Sequence, residues 1–353
     1  MHKLKYGSFF ALLAFFSCQY PVSFSSLPDT HKFLVIDAEV TENFALLNVI
    51  YSLEDVSSTG AYTFPRPPRT SAYLMDSKGV MYTFKNTTGV RDTLFRGNIG
   101  ETYQLFVEAD GKMYESRKEI MNPCPEMDTV GVIYRRETFR SPEDLLYDGM
   151  DVYVEARDFP GVNNYYQWTW THYAKATYCN KVYDGALKTD VLIPCNPPDC
   201  WNIETNRKVI VQSDKLRDGS PLAKFVTRVP FAQPPTKYYL KIEQRAIPSS
   251  VYDYLKSIEI QTQQVGTLFD IPAQTVFNPN VYNTIDKGEK LIGSFNVYSY
   301  RYKIIYINMD QVIDGVTPKH IREGHPFIGD PLAAFPCVES FNRTKVKPEG
   351  WIN

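Results

Sequence analysis

The sequence predicts a mainly β protein, in which an N-terminal Ig-like β-sandwich is followed by a second β-rich domain carrying one amphipathic helix. Three observations predict this. The stretch 103–114 is a β-hairpin: Tyr103, Leu105 and Val107 alternate to one face, and Asp110-Gly111 can supply the positive-φ turn before a return strand from Lys112 to Ser116. Short runs rich in β-branched and aromatic residues recur upstream at 33–40, 45–51, 71–75 and 80–84, separated by polar or Gly/Pro-containing segments, the spacing of a sandwich. Helical periodicity breaks the β pattern at 251–263, where Val251, Tyr254, Leu255 and Ile258 share a face behind a cap-like Ser250 and Asp253.

In chain order, residues 1–18 place His2, Lys3 and Lys5 before an apolar run, 9–16, and end on Ser17-Cys18, the layout of an export signal. The run is far shorter than the roughly 20 residues of a membrane-spanning helix. A cysteine at the cut site resembles the signal of bacterial lipoproteins, which would make Cys18 the acylated residue that holds the chain to the lipid bilayer. Residues 19–32, rich in Ser and Pro, read as a tether. The sandwich domain runs over 33–121, interrupted by a loop at 52–69 whose three prolines bar a central strand. Asn122-Pro123-Cys124-Pro125 is the linker, and 126–353 the second domain, with strands expected at 129–135, 151–157, 165–173, 208–212, 238–244, 291–297 and 302–307.

The composition is that of a folded chain: 353 residues, 43% hydrophobic, 14% aromatic and 22% charged, with a formal net charge of −2 and no basic run, so nucleic acid is not an expected partner. With Cys18 lipidated, five cysteines remain, Cys124, Cys179, Cys195, Cys200 and Cys337, which allow two disulfides and one spare thiol. At least one bridge is expected within Cys179, Cys195 and Cys200, where the stiff loop 196–199 disfavours pairing of the last two. No Cys-x-x-Cys occurs and the histidines do not gather near these thiols, so no metal centre and no cofactor are expected.

No nucleophile-elbow, zincin or phosphate-loop motif is present. A carboxylate pair could be assembled from Asp144, Asp148, Asp151, Glu155 and Asp158, although these also read as a solvated edge. Asp148-Gly149-Met150-Asp151 and 214–218 could offer oxygen ligands to calcium, without EF-hand spacing. The aromatic run 165–173 places Tyr166, Trp168 and Trp170 on one strand face, where they serve either as core or as a platform for a glycan or peptide ligand.

From about residue 33 onward the chain resembles the Bacteroidota lipoproteins of domain-of-unknown-function family 4249. The resemblance rests on Leu34-Val35-Ile36-Asp37-Ala38-Glu39-Val40, on Tyr103, Leu105 and Val107 after Gly100, and on Pro125-Glu126-Met127-Asp128. It continues through Asn164-Tyr165-Tyr166 with Trp168, Cys200-Trp201, Gly266-Thr267-Leu268-Phe269-Asp270, and Leu291-Ile292-Gly293-Ser294-Phe295. Asn278-Pro279-Asn280 replaces a Gly-Asn-Ile element. Cys337, Lys347-Pro348 and Trp351 match a C-terminal motif whose second cysteine is Ser340 here, leaving the partner of Cys337 open.

The resemblance implies an outer-membrane lipid anchor, facing periplasm or cell surface, beside a TonB-dependent receptor, and no known activity. The expected function is that of a non-enzymatic accessory or binding component, with Tyr62, Phe64, Tyr166, Trp168, Trp170 and Phe269 as candidate contacts to partner or ligand. The alternatives are a glycan-active enzyme, which needs a carboxylate pair in a cleft, and a structural or adhesive envelope protein.

Overall fold

The computed structural model describes residues 32–52, 55–56, 62–140, 144–161, 163–233, 237–262, 276–309, 318–319, 321–322 and 337–352. Cys18 with the signal 1–18, and Phe269, lie outside the described residues.

The predicted hairpin is present as Thr102–Ala109 and Lys112–Ser116, with Asp110 and Gly111 both at positive φ in the turn. It joins Ser71–Asp76 and Met81–Thr83 in one sheet of the first sandwich. The facing sheet holds Leu34–Val40 paired antiparallel with Ala45–Tyr51. Alternation turns Leu34, Ile36, Ala38 and Val40 inward onto Leu47, Leu74, Leu105 and Val107, and sends Val35, Asp37 and Glu39 outward.

Both sheets are completed from the other end of the chain. Val281–Asn283 pairs with Lys112–Ser116, while Leu291–Ile292 and Phe295–Val297 lie parallel to Leu34–Val40. Val281, Leu291, Phe295 and Val297 are buried in the first core. This corrects the reading that assigned all of 126–353 to the second domain. The expected strand 291–297 is also split, because Gly293 takes φ +94° and its backbone runs so close to Ile36 that a Cβ would sit 2.3 Å from that carbonyl oxygen. Where the Gly-Asn-Ile element is replaced, the Asn278 side chain accepts the Asn280 and Val281 N–H groups, and Asn280 bonds both the N–H and the carbonyl of Phe295.

The second sandwich packs a three-stranded sheet, Met127–Arg140, Leu146–Arg157 and Pro221–Pro230, against one built on Ser299–Asn308, Lys237–Ala246, Tyr165–Lys175 and Trp201–Thr205. Pro221–Pro230 was not foreseen. It has proline at both ends, and a bulge opposite Val152 and Tyr153 resets its alternation, so that Leu222, Val226 and Val229 are buried at spacings of four and three. Tyr166 is 0% and Trp168 1% exposed, both inside this core with Trp170 packed against it, so this face is core and not a ligand platform. Gln244 accepts the Trp168 indole N–H and donates to the carbonyl of Pro125, pinning the linker to the sheet.

The helix runs over Ser249–Thr262. Its expected capping box does not form: the Ser250 hydroxyl donates to Glu119 of the first sandwich instead. Val251 packs with Val211, Ile247 and Tyr298, joined by Leu255 and by Tyr252, which lies against Tyr165. The C-terminal residues cover the other end of the same sheet face. Trp351 contacts Trp201 and Tyr239, and the Tyr239 and Tyr306 hydroxyls donate to the carbonyls of Glu349 and Gly350.

Disulfides join Cys179 to Cys195 and Cys200 to Cys337, and Cys124 is a buried free thiol that burial pushes up to about 12. The first bridge closes the hairpin Tyr178–Asp184 and Thr189–Pro194, and the second ties the C-terminal segment to the second sandwich.

Three outcomes are expected. Phe295→Ala destabilises the first sandwich by about 3–5 kcal/mol, read as lost hydrogen-exchange protection in 34–40, and a fragment ending at residue 125 gives no cooperative thermal transition. A thiol reagent added to unreduced Cys18→Ala protein titrates no cysteine in the native state and one, Cys124, after denaturation.

Candidate functional site

A cleft of about 380 Å³ opens between the two sandwiches. One wall is the outward face of the first sandwich, with Val35, Asp37 and Glu39 from one strand, Asn48 directly across from Asp37, and Asn296 across from Glu39. The other wall holds Gln167 and Arg245 from the second sandwich and Val251, Tyr254 and Leu255 from the helix. The sharp turn at Gly293 forms the floor, where the Tyr254 phenol oxygen accepts the Gly293 N–H.

The electrostatics centre on Arg245. Its guanidinium approaches Glu39 at 3.4 Å and Glu243 at 2.6 Å, and lies 4.6 Å over the Tyr298 ring. Burial opposes its charge, but Tyr298, Glu39 and Glu243 together outweigh burial and hold it protonated. Tyr298 donates its hydroxyl to the other oxygen of Glu39 at 2.7 Å. Both Glu39 oxygens are therefore engaged, each by a group of the second sandwich or of the junction leading into it.

Asp37 differs. Its side chain reaches the water of the cleft, yet protein walls surround it, and this desolvation with the adjacent Glu39 charge pushes its carboxyl up to about 6, against a backbone N–H from Ser294 and the more distant Arg245. Two lining residues, Gln167 and Asn296, each have a buried amide oxygen, Oε1 and Oδ1, without a hydrogen-bond donor among the described residues.

The acidic groups picked from sequence are used otherwise. Asp148 accepts the Tyr134 hydroxyl and the backbone N–H groups of Glu137 and Lys319, and Asp151 is bridged by Arg135 and Arg228, so neither is open to calcium. Asp158, Asp214 and Asp218 bring carboxylate oxygens within 4.8 Å of one another, a grouping only partly foreseen because Asp158 comes from a different strand end. Asp158 accepts the Tyr166 hydroxyl, Asn164 and the Gly219 N–H, while Asn164 also serves Asp214. Burial and Asp158 push Asp214 above the usual carboxylate range. His172 stacks on Tyr238 and bonds the Tyr239 carbonyl at 2.6 Å, and burial pushes it down to about 4, a neutral core histidine.

Of the sequence-predicted contacts, Phe64 is 49% exposed on a segment fastened by Arg66, which donates to the carbonyls of Val49 and Thr87. The backbone of Tyr62 pairs with Val56, and its side chain lies outside the described residues. Asp37 and Arg245 escaped sequence reading as a site. They are remote in sequence, and Val35, Asp37 and Glu39 look like the solvated face of an alternating strand.

Asp37 generates a pH dependence. Its folded-state value lies above that of the unfolded chain, so its contribution to stability is full below about pH 4 and is lost as pH rises through about 6. The melting temperature of Asp37→Asn is expected to rise relative to wild type between pH 4 and pH 8, and a gap that stays constant over that range contradicts the desolvated state.

The family model for a domain of unknown function, DUF4249, matches residues 20–304. No curated protein matches the sequence. The matched span takes in the first sandwich, the linker, the helix and all but the end of the strand Ser299–Asn308, and so every residue of the cleft. On that coverage the chain belongs to the DUF4249 family.

Proposed function

We propose that the protein is a cell-envelope lipoprotein, anchored in the outer membrane through acylated Cys18, that works by recognition as a non-enzymatic accessory of a TonB-dependent receptor in nutrient uptake. The observation that carries the recognition reading is the cleft between the sandwiches, lined by a carboxylate, Asp37, with no ion-pair partner among the described residues and by Gln167 and Asn296, whose amide oxygens have no donor among them. Groups of this kind await a ligand.

The glycan-active alternative has a carboxylate pair to draw on, Asp37 and Glu39, and Asp37 is raised as a general acid would be. Glu39, however, is held at both oxygens by Arg245 and Tyr298, which ties it into the junction between the sandwiches rather than leaving it free to activate a substrate water. Recognition is favoured for that reason. The exposed Phe64 in the 52–69 loop is the candidate receptor contact, with Tyr62 two residues before it.

Cys18→Ala is expected to leave an unprocessed precursor that takes up no labelled palmitate. The tagged wild-type protein, purified from gently solubilised envelopes, is expected to bring down a TonB-dependent receptor, and replacing Tyr62 and Phe64 with Ala to weaken that recovery at equal expression. Purification of the protein alone at native abundance, with uptake through the neighbouring receptor unchanged by its deletion, overturns the receptor role.

A further inference from the structure

The charges of the cleft do not balance. Arg245 is shared between Glu39 and Glu243, and the charge of Glu39 is met by Arg245 with a further hydrogen bond from Tyr298. Asp37 has no Lys, Arg or His nitrogen at ion-pairing distance among the described residues. Asp37 is open to the cleft, so its negative charge is available to a cation that enters there.

Two further observations specify the cation. Asn296, 6% exposed, and Gln167 each leave a carbonyl oxygen without a donor, one on each side of the cleft. What is missing is therefore donors, and more than one. Beside Asn48, Ser294 and Tyr254 the lining carries an aliphatic strip, with Val35 and Ile292 on one side and Val251 and Leu255 on the other.

We infer that the cleft binds a primary alkylammonium group, whose nitrogen donates to Asp37 and to the Asn296 and Gln167 amide oxygens while its hydrocarbon stem lies along the aliphatic wall. An ammonium carries one positive charge, three donors and no acceptor, which matches one uncompensated carboxylate and two orphaned acceptors. A carboxylate or phosphate ligand would meet Asp37 and Glu39 as like charges. Calcium takes six to eight oxygen ligands, and one free carboxylate with two amides supplies few of them. The volume suits a small molecule rather than a folded partner. The inference rests on the recognition role proposed above and names the ligand chemistry of the same cleft.

The test is calorimetry on the full mature protein with three probes: 1,5-diaminopentane, Nα-acetyl-lysine amide and 1-pentanol. At least one amine is expected to bind and the neutral alcohol not to. Binding of the diamine alone identifies a free amine as the source, and binding of the lysine amide an amino-acid one. Asp37→Asn is expected to weaken amine binding about tenfold or more, the scale of one charge-assisted hydrogen bond, with its thermal melt recorded to show that it folds. A second measurement needs no variant. Wild-type affinity should fall as pH is lowered through about 6, where Asp37 takes up a proton. The groups facing Asp37 are Glu39 from its own strand, Arg245 from the second sandwich and Tyr254 from the helix. Arg245 and Tyr254 do not titrate there, since Arg245 is held charged and burial raises the Tyr254 phenol.

Equal binding of pentanol and the amines, unchanged affinity in Asp37→Asn, or no binding by either amine overturns the inference. Recovery of the receptor without amine binding removes this inference and leaves the receptor role standing. Amine binding without the receptor does the reverse.

Discussion

The chain passes from one sandwich into the other without a break at Tyr298, and the rest of the structure depends on that passage. Phe295–Val297 lies in a sheet of the first sandwich, and Ser299–Asn308 begins one residue later as an edge of the second. Tyr298 between them is fully buried, and its N–H donates to the Val40 carbonyl. Ser299 donates to the carbonyl of Asn122, which fastens the linker to the same junction. A single residue leaves little rotational freedom, so the two outer faces that form the cleft are set at one distance by backbone rather than by side-chain contacts alone.

Around that junction the protein buries charge. Arg245, Glu39 and Glu243 with the Tyr298 phenol form a closed group in which every charge has a partner, and such groups contribute little net stability because desolvation offsets their attraction. Their effect is on geometry. Moving either sandwich would strand a charge, so the group opposes displacement more strongly than apolar contacts of equal area would. Asp37, two residues from Glu39 on the same face, has no place in that closed group, and the contrast between the two carboxylates gives the cleft its polarity.

Local features were legible in the sequence. The 103–114 hairpin announces itself through period-two alternation and Asp110-Gly111, and the helix through its spacing at Val251, Tyr254 and Leu255. The odd cysteine count resolves into two bridges and the spare Cys124, with Cys179–Cys195 among the expected pairs. What was hidden is long-range. Parallel pairing of Phe295–Val297 with Leu34–Val40 leaves no turn to read, and the segment looks the same whichever sandwich receives it. Pro221–Pro230 was masked by its terminal prolines and its bulge. Asp37 and Arg245 are placed together only by the fold, and no spacing rule reaches across 200 residues.

The closing of the first sandwich by 281–297 also sets an order of events as the chain is made. The strands from 34 to 116 emerge first, but the edges beside Leu34–Val40 and Lys112–Ser116 stay unpaired until some 170 further residues have followed. During that interval the N-terminal half presents open β edges and an unfinished apolar core while the whole second sandwich is still being produced. A nascent chain of this topology has to be kept from pairing with its neighbours by something other than its own fold.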